Sequence, residues 1–129
     1  MTLLLDTHVL HWWSAEPERL SSVATTAITE ADELAVAGIT WYELAWLAGH
    51  ERIRVAVPVP TWLGALAAEV RTIGITPAVA HTASSLPSSF PGDPADRLIY
   101  ATAIEHGWRL VTKDQRLRNH AHPREIALW

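Results

Sequence analysis

Four acidic residues stand where a predicted strand passes into a predicted helix. Asp6 follows an apolar strand, Glu43 and Asp96 each lie in the first turn of a helix, and Asp114 follows the short strand at 110–111. Carboxylates that share one edge repel one another unless a cation lies among them, and oxygen ligands suit Mg²⁺ or Mn²⁺. The chain contains no cysteine, which excludes thiolate metal sites. The four acids therefore predict a site for a hard divalent cation.

The chemistry expected of such a site is hydrolysis of a phosphodiester bond. A hard cation held by carboxylates activates water and binds phosphoryl oxygens. One ion can do this, and two ions about 3.5 to 4 Å apart would serve both the attacking and the leaving oxygen. The sequence leaves both arrangements open.

Each acid also has a purely structural interpretation. Helix N-termini favour acidic residues through capping and the helix dipole. Thr40 and Glu43 have the spacing of a capping box, and Asp93 precedes a proline at the first helical position. Asp93 is therefore expected mainly to cap the helix, and a role as metal ligand is the less favoured alternative. For the other acids, the convergence of four carboxylates on one edge favours the metal site.

Strands and helices alternate along the chain, and this alternation predicts where that edge lies. Apolar runs predict strands at 3–5, 34–37, 110–111 and 126–129, with a one-residue strand at Ile75. Apolar spacing and capping residues predict seven helices, which begin near residues 7, 21, 40, 60, 77, 94 and 114. The prediction is an α/β fold with a short, mainly parallel sheet of four to five strands, covered on both faces. Right-handed crossovers bring the carboxyl ends of the strands to one edge, where ligands bind.

Size and composition predict a single cytoplasmic domain over residues 1–129. Hydrophobic residues make up 49% of the chain, which is enough for a domain of this length to bury a core. The lack of cysteine fits a reducing compartment, and no apolar run approaches the roughly 18 residues that a membrane span needs. No membrane partner is expected.

The formal net charge of −4 at pH 7 first argues against a nucleic-acid partner. The charge is polarised, however: residues 1–50 hold seven acids and one base, whereas residues 97–124 hold six bases and two acids. Outside the predicted site, ten acids balance ten bases. The net negative charge thus lies largely in the predicted metal site, where a bound metal ion would contact phosphate.

Four segments together resemble a known family. They read Leu-Leu-Asp-Thr-His from residue 4, Ile-Thr-Trp-Tyr-Glu-Leu-Ala from residue 39, Asp-Pro-Ala-Asp-Arg-Leu-Ile-Tyr-Ala-Thr-Ala from residue 93 and Leu-Val-Thr-Lys-Asp from residue 110. In order and spacing this set resembles PIN-domain ribonucleases, most closely the VapC-like toxins of type II toxin-antitoxin systems. The resemblance implies a PIN-like three-layer α/β/α fold and an endoribonuclease that depends on Mg²⁺ or Mn²⁺. It also implies tRNA or mRNA as substrate, a homodimer, and inhibition by a cognate antitoxin.

The resemblance assigns roles to individual residues. The acidic tetrad of the family matches Asp6, Glu43, Asp96 and Asp114. The three aspartates are expected to bind metal directly, and Glu43 to bind metal or to orient the attacking water. The hydroxyl of the family's strand-end Thr-X-Asp motif matches Thr112. Thr112 and Thr7 are expected to support the carboxylates without binding the metal themselves.

Basic residues near the acids are candidates to hold the RNA backbone. They are Arg97, Lys113, Arg116 and Arg118. A solvated charged surface is the alternative interpretation of this group. His8, close to Asp6, is a further candidate for a phosphate contact, and with His11 three residues on it could instead form part of a transition-metal site.

The tryptophans are expected to divide between core and interface. Trp46 and Trp108 are predicted to be core residues. Trp12 and Trp13 are adjacent on one helix and cannot both face inward, so one of them is expected at a dimer or antitoxin interface.

Two other functions are compatible with acids at the edge of a parallel sheet. A phosphorylation receiver would need adjacent acids after the first strand, whereas Asp6 is followed by Thr7. A catalytically silent protein-binding domain of the same fold would use the tryptophans for partners. The presence of all four acids favours the enzyme.

Overall fold

The computed structural model describes residues 1–120 and 124–129. Its strands are β1 (Thr2–Leu5), β2 (Glu33–Ala37), β3 (Arg71–Ile73), β4 (Arg109–Val111) and β5 (Ala127–Leu128). Its helices are α1 (Thr7–Ala15), α2 (Ser22–Glu30), α3 (Ile39–Gly49), α4 (Val59–Ala67), α5 (Pro77–Ser85), α6 (Pro94–His106) and α7 (Gln115–Arg118), with a 3₁₀ turn at Pro17–Arg19. No helix in these ranges is long and apolar enough to cross a membrane.

The strands form one parallel sheet in the order β3-β2-β1-β4-β5. The central strand β1 is apolar on both sides because it is covered on both faces. Leu4 packs on one face with Ile99 of α6, and Leu3 and Leu5 pack on the other with Leu10 of α1. The prediction of an α/β fold with helices on both faces of a parallel sheet is confirmed.

The third strand lies earlier than the sequence predicts. Residues 71–73 form β3, where Thr72 pairs with Val36 of β2 and the carbonyl of Ile73 accepts a hydrogen bond from the amide of Gly38 at 2.8 Å. The one-residue strand predicted at Ile75 is wrong, since that side chain is exposed beyond the strand end. The helix predicted to begin near residue 60 ends at Ala67, and the apolar side chain of Val70 packs on the core after that end.

The parallel arrangement places the start of several helices at one edge. Asp6 follows β1 and caps α1, and Asp114 follows β4 and caps α7. The main-chain amide of Asp6 donates to the carbonyl of Val111 at 3.0 Å, so the ends of β1 and β4 are tied together. Residues far apart in sequence therefore meet at this edge.

Candidate active site

Asp6 directly follows the central strand β1, at the edge of the sheet where the strands end. Its Oδ1 accepts a hydrogen bond from the amide of Thr7 at 2.8 Å, and its Oδ2 accepts one from the hydroxyl of Thr112 at 2.6 Å. The Thr112 hydroxyl also accepts from the amide of Asp114 at 3.1 Å, which fixes its proton toward Asp6. Burial raises the pKa of the Asp6 carboxyl in spite of both hydrogen bonds. Two hydrogen bonds therefore orient this carboxylate, while burial disfavours its ionised form.

Glu43 is held against α1 by a pair of threonines. The hydroxyl of Thr7 donates to Oε1 of Glu43 at 2.5 Å and lies 3.1 Å from the hydroxyl of Thr40. The capping box predicted for Thr40 and Glu43 is wrong: α3 begins after Gly38, and Thr40 is fully buried within the helix. Its hydroxyl bonds across to α1 instead of to its own helix. Burial raises the pKa of Glu43, and the nearby carboxylates of Asp6 and Asp93 raise it further.

Asp93 and Asp96 begin α6. Oδ1 of Asp93 accepts from the amides of Ala95 and Asp96 at 2.8 and 3.2 Å, so Asp93 caps the helix as expected. Burial, followed by the charges of the neighbouring aspartates, raises the pKa of Asp96 to about 7. At neutral pH this group is therefore poised between its two protonation states.

Asp114 and Asp96 share one arginine. Arg116 donates from Nη2 to Oδ2 of Asp114 at 2.7 Å and from Nε to Oδ1 at 3.1 Å, and its Nη2 also lies 3.4 Å from Oδ2 of Asp96. The hydrogen bond from Arg116 lowers the pKa of Asp114. Arg116 thus stabilises the anionic form of Asp114 more than that of Asp96, whose pKa stays raised.

One cavity of about 380 Å³ brings all these groups together. It is lined by Asp6, Thr7, His8, Val9, Trp12, Glu43, Asp93, Asp96, Lys113, Asp114 and Arg116. Among the residues that the structure describes, no three acidic or histidine side chains already stand as a complete ligand set. The donor chemistry nevertheless fits a hard cation, since the carboxylates supply only oxygen, and burial together with the neighbouring carboxylates raises the pKa of Asp96.

The basic candidates separate into two groups. Arg116 and the exposed Lys113 line the acidic cavity, and Nζ of Lys113 lies 5.8 Å from the ring centre of Trp12. Arg118 points elsewhere: it donates to Gln115 at 3.2 Å and lines a different cavity, beside Trp129. The structure therefore does not place Arg118 with the acids.

Arg97 contradicts the expectation that it is free to contact RNA. Its guanidinium donates five hydrogen bonds, at 2.9 to 3.3 Å, to main-chain carbonyls of Ala83, Leu86, Pro87, Phe90 and Pro91. Every nitrogen of the side chain is used in this way. Arg97 therefore anchors the loop between α5 and α6, and through it the start of α6 that carries Asp96.

We expect Arg97→Ala to lower the free energy of unfolding by about 3 kcal/mol, because it leaves several main-chain carbonyls without a charged donor. Denaturant unfolding followed by circular dichroism measures this change. The matched control is Arg118→Ala, because this exposed side chain has one hydrogen bond to the residues that the structure describes. It should change stability by no more than about 0.5 kcal/mol. Equal effects of the two variants would contradict the anchoring role.

The two histidines of α1 do not form a metal pair. His8 is exposed and lines the acidic cavity, whereas Nε2 of His11 lies 3.2 Å from Oε2 of Glu16, at the other end of the helix. Burial lowers the pKa of His11. His8 thus keeps its place as a candidate substrate contact, and His11 has a structural partner.

Of the tryptophans discussed above, Trp46 contradicts its prediction. Trp46 is not a core residue, since 43% of it is exposed, while Trp108 packs partly buried against the core. Trp12 is buried, and Trp13 lines a groove of about 460 Å³ with Trp62. Sequence reasoning therefore missed a surface aromatic beside Glu43, although its position three residues further along the helix was a signal.

The profile of the PIN domain matches residues 3–123. The chain belongs to the PIN domain family. A relative of this PIN domain, Ribonuclease VapC22 of Mycobacterium tuberculosis (strain ATCC 25618 / H37Rv), is 71% identical over 128 residues, which cover 99% of this chain and 98% of the relative.

Solved structures share the fold of this PIN domain. VapBC2 from Rickettsia felis, bound to a DNA fragment from its promoter, matches with a TM-score of 0.72 at 15% identity, covering 99% of this chain and 98% of the other. A toxin-antitoxin complex from Klebsiella pneumoniae matches with a TM-score of 0.65 at 24% identity, covering 88% and 87%. At these identities the likeness concerns the fold of the PIN domain.

Proposed function

We propose that the chain is a metal-dependent endoribonuclease, the toxin of a type II toxin-antitoxin system, which hydrolyses phosphodiester bonds of RNA. The observation that carries the proposal is the single cavity in which Asp6, Glu43, Asp96 and Asp114 meet. The 71% identity to a protein named as a ribonuclease supports it.

The four acids have different roles in the proposed site. Asp6, Asp96 and Asp114 would hold Mg²⁺ or Mn²⁺, which lowers the pKa of bound water and neutralises charge on the phosphoryl oxygens. Thr112 and Thr7 keep Asp6 in place by hydrogen bonds. Such supports around a metal ligand matter for affinity and rate, because they orient its oxygens.

Glu43 is suited to orient the attacking water or to accept its proton. Its raised pKa makes it a stronger base than an exposed carboxylate, and the hydrogen bond from Thr7 fixes one of its oxygens. The second oxygen has no hydrogen bond to any described residue. Lys113 and Arg116 line the same cavity and would meet the phosphate backbone of the substrate.

The direct test is cleavage of RNA by the purified protein. We expect cleavage of tRNA or mRNA with MgCl₂ or MnCl₂, its loss with EDTA, and its loss in an Asp96→Asn variant. If the wild-type protein binds Mn²⁺ yet cleaves no RNA from a total cellular extract, the chain is a silent binding domain of the same fold. Mapping the cleaved ends would identify the substrate.

An antitoxin and a second copy of the chain are proposed as partners. Solved structures of the same fold include toxin-antitoxin complexes. The groove lined by Trp13 and Trp62 lies between α1 and α4, shares no lining residue with the cavity of the four acids, and offers the aromatic surface that interfaces favour. Light scattering of the protein, alone and with the product of an adjacent antitoxin gene, tests both partners.

Arg116→Ala is expected to weaken binding of unpaired RNA and to flatten its salt dependence. Removing one phosphate contact should reduce the slope of log K against log salt by about 0.7. Fluorescence anisotropy with Mg²⁺, in a Glu43→Gln background that prevents cleavage, measures this slope. Arg118→Ala is the control, because that side chain lines a different cavity, and it should leave the slope unchanged. The same slope in both variants would remove Arg116 from the RNA contacts.

A further inference from the structure

Two aromatic side chains on α3 face solvent beside the acids. Tyr42 is 66% exposed and Trp46 is 43% exposed. They are four residues apart, so they lie on the same side of the helix, one turn from each other. Glu43 lies next to Tyr42 in sequence and reaches Thr7. Neither ring is needed to fill the core.

The Trp46 ring is oriented by a second ring. The imidazole of His50 stacks on it, with centroids 4.0 Å apart and an angle of 19° between the planes. His50 is itself positioned by Nδ1, which lies 2.8 Å from the carbonyl of Trp46. A ring held in this way loses little conformational freedom on binding a planar ligand.

The aromatic surface is continuous with the acidic cavity. A pocket of about 250 Å³ is lined by His8, Tyr42, Glu43, Trp46 and Leu47. His8 and Glu43 also line the cavity that holds the four acids. A ligand whose phosphate lies among the acids can therefore place an adjoining group against the rings.

Positive charge follows at the far end of α3. Arg52 and Arg54 are exposed, and neither side chain has a hydrogen bond or ion pair with a described residue. The amide of Arg52 donates to the carbonyl of Leu47 at 2.9 Å, so the first arginine starts beside the aromatic pocket. Glu43 and the two aromatic rings thus lie on α3, and the two arginines follow beyond its end.

We infer that Tyr42 and Trp46 form a stacking platform that holds an unpaired nucleobase of the RNA next to the cleaved phosphodiester bond. This inference rests on the proposed ribonuclease function. An unpaired base can stack on an aromatic side chain whichever base it is, and arginine side chains beyond the rings can contact the RNA backbone. The platform thereby selects single-stranded segments such as loops over duplex RNA.

The test compares variants of Trp46 that separate a ring from mere apolar area. In an Asp96→Asn background, Trp46→Ala and Trp46→Leu should each raise the Kd for a short unpaired oligoribonucleotide about 10-fold, whereas Trp46→Phe should stay within about 2-fold. Binding of the same sequence as a duplex should not change. With Asp96 intact and Mg²⁺ present, Trp46→Ala should raise KM more than it lowers kcat.

Controls assign each outcome to one proposal. Val23 on α2 is 55% exposed. The variant Val23→Ala removes apolar surface there and should leave both the Kd and the KM for RNA unchanged. Wild-type cleavage with an unchanged Kd and KM in Trp46→Ala would overturn the platform alone, and loss of antitoxin binding in that variant would show a protein-contact surface instead. A wild-type protein that cleaves no RNA would contradict the ribonuclease function.

Discussion

Asp6→Asn is expected to reduce the rate of Mg²⁺-dependent RNA cleavage by at least about 100-fold. Asp6 lies at the end of the central strand, and its two oxygens are oriented by Thr7 and Thr112. An amide has no negative charge to offer a cation and has one oxygen for two hydrogen-bond donors. Single-turnover cleavage of a labelled RNA at saturating protein measures the chemical step.

Folding of this variant is expected to survive. Burial raises the pKa of Asp6, so the ionised carboxylate is itself a cost to the folded state, and a neutral amide relieves it. Asp32→Asn is the matched control, since Asp32 is exposed and precedes β2 at the opposite end of the sheet. It should cleave at the wild-type rate. Full activity of Asp6→Asn would refute the proposed metal site.

The metal-free protein is expected to lose stability as pH rises from about 4 to about 7. The pKa of Asp96 is about 7 in the folded state, against an ordinary value of 3.8. Within that window the unfolded chain has released a proton that the folded chain still holds, so raising the pH favours unfolding. The loss of stability is complete at pH values above the pKa of Asp96 in the folded state and absent below its pKa in the unfolded chain. The raised pKa of Asp6 acts in the same direction.

A divalent cation should reverse this loss, because it binds the ionised carboxylates. At a concentration about 100 times its Kd, Mn²⁺ adds about 2.7 kcal/mol, or roughly 10 °C in Tm for a domain of this size. Thermal unfolding at pH 6 and pH 8, with Mn²⁺ or EDTA, should show the larger shift at pH 8. Asp96→Asn should lose most of the shift and flatten the metal-free pH profile. A shift that is equal at both pH values and intact in the variant would exclude Asp96 from the site.

Much of the fold was predictable because its signals are local. The run Leu3–Leu5 is apolar on both sides of a strand and ends in Asp6, which already indicates a central parallel strand followed by a helix. The proline after Asp93 and Gly107 at the end of α6 mark that helix, with Gly107 at a φ of 68°. The third strand was predicted at the wrong position because Arg71 and Thr72 are exposed and give no apolar signal, so its identity depends on pairing with β2.

The four acids of the candidate site, each beside a strand end or helix start, were identified from the sequence alone. Right-handed crossovers bring such positions to one edge whatever the details of packing, so spacing along the chain was sufficient. The partners of individual side chains, and which face of a helix is exposed, were decided only by the tertiary structure. Thr40 bonds across to Thr7, Arg97 anchors a loop, and Trp46 faces solvent beside His50. Local pattern indicates which elements form and where they begin, but which face is buried and which residues it meets depend on how whole helices pack.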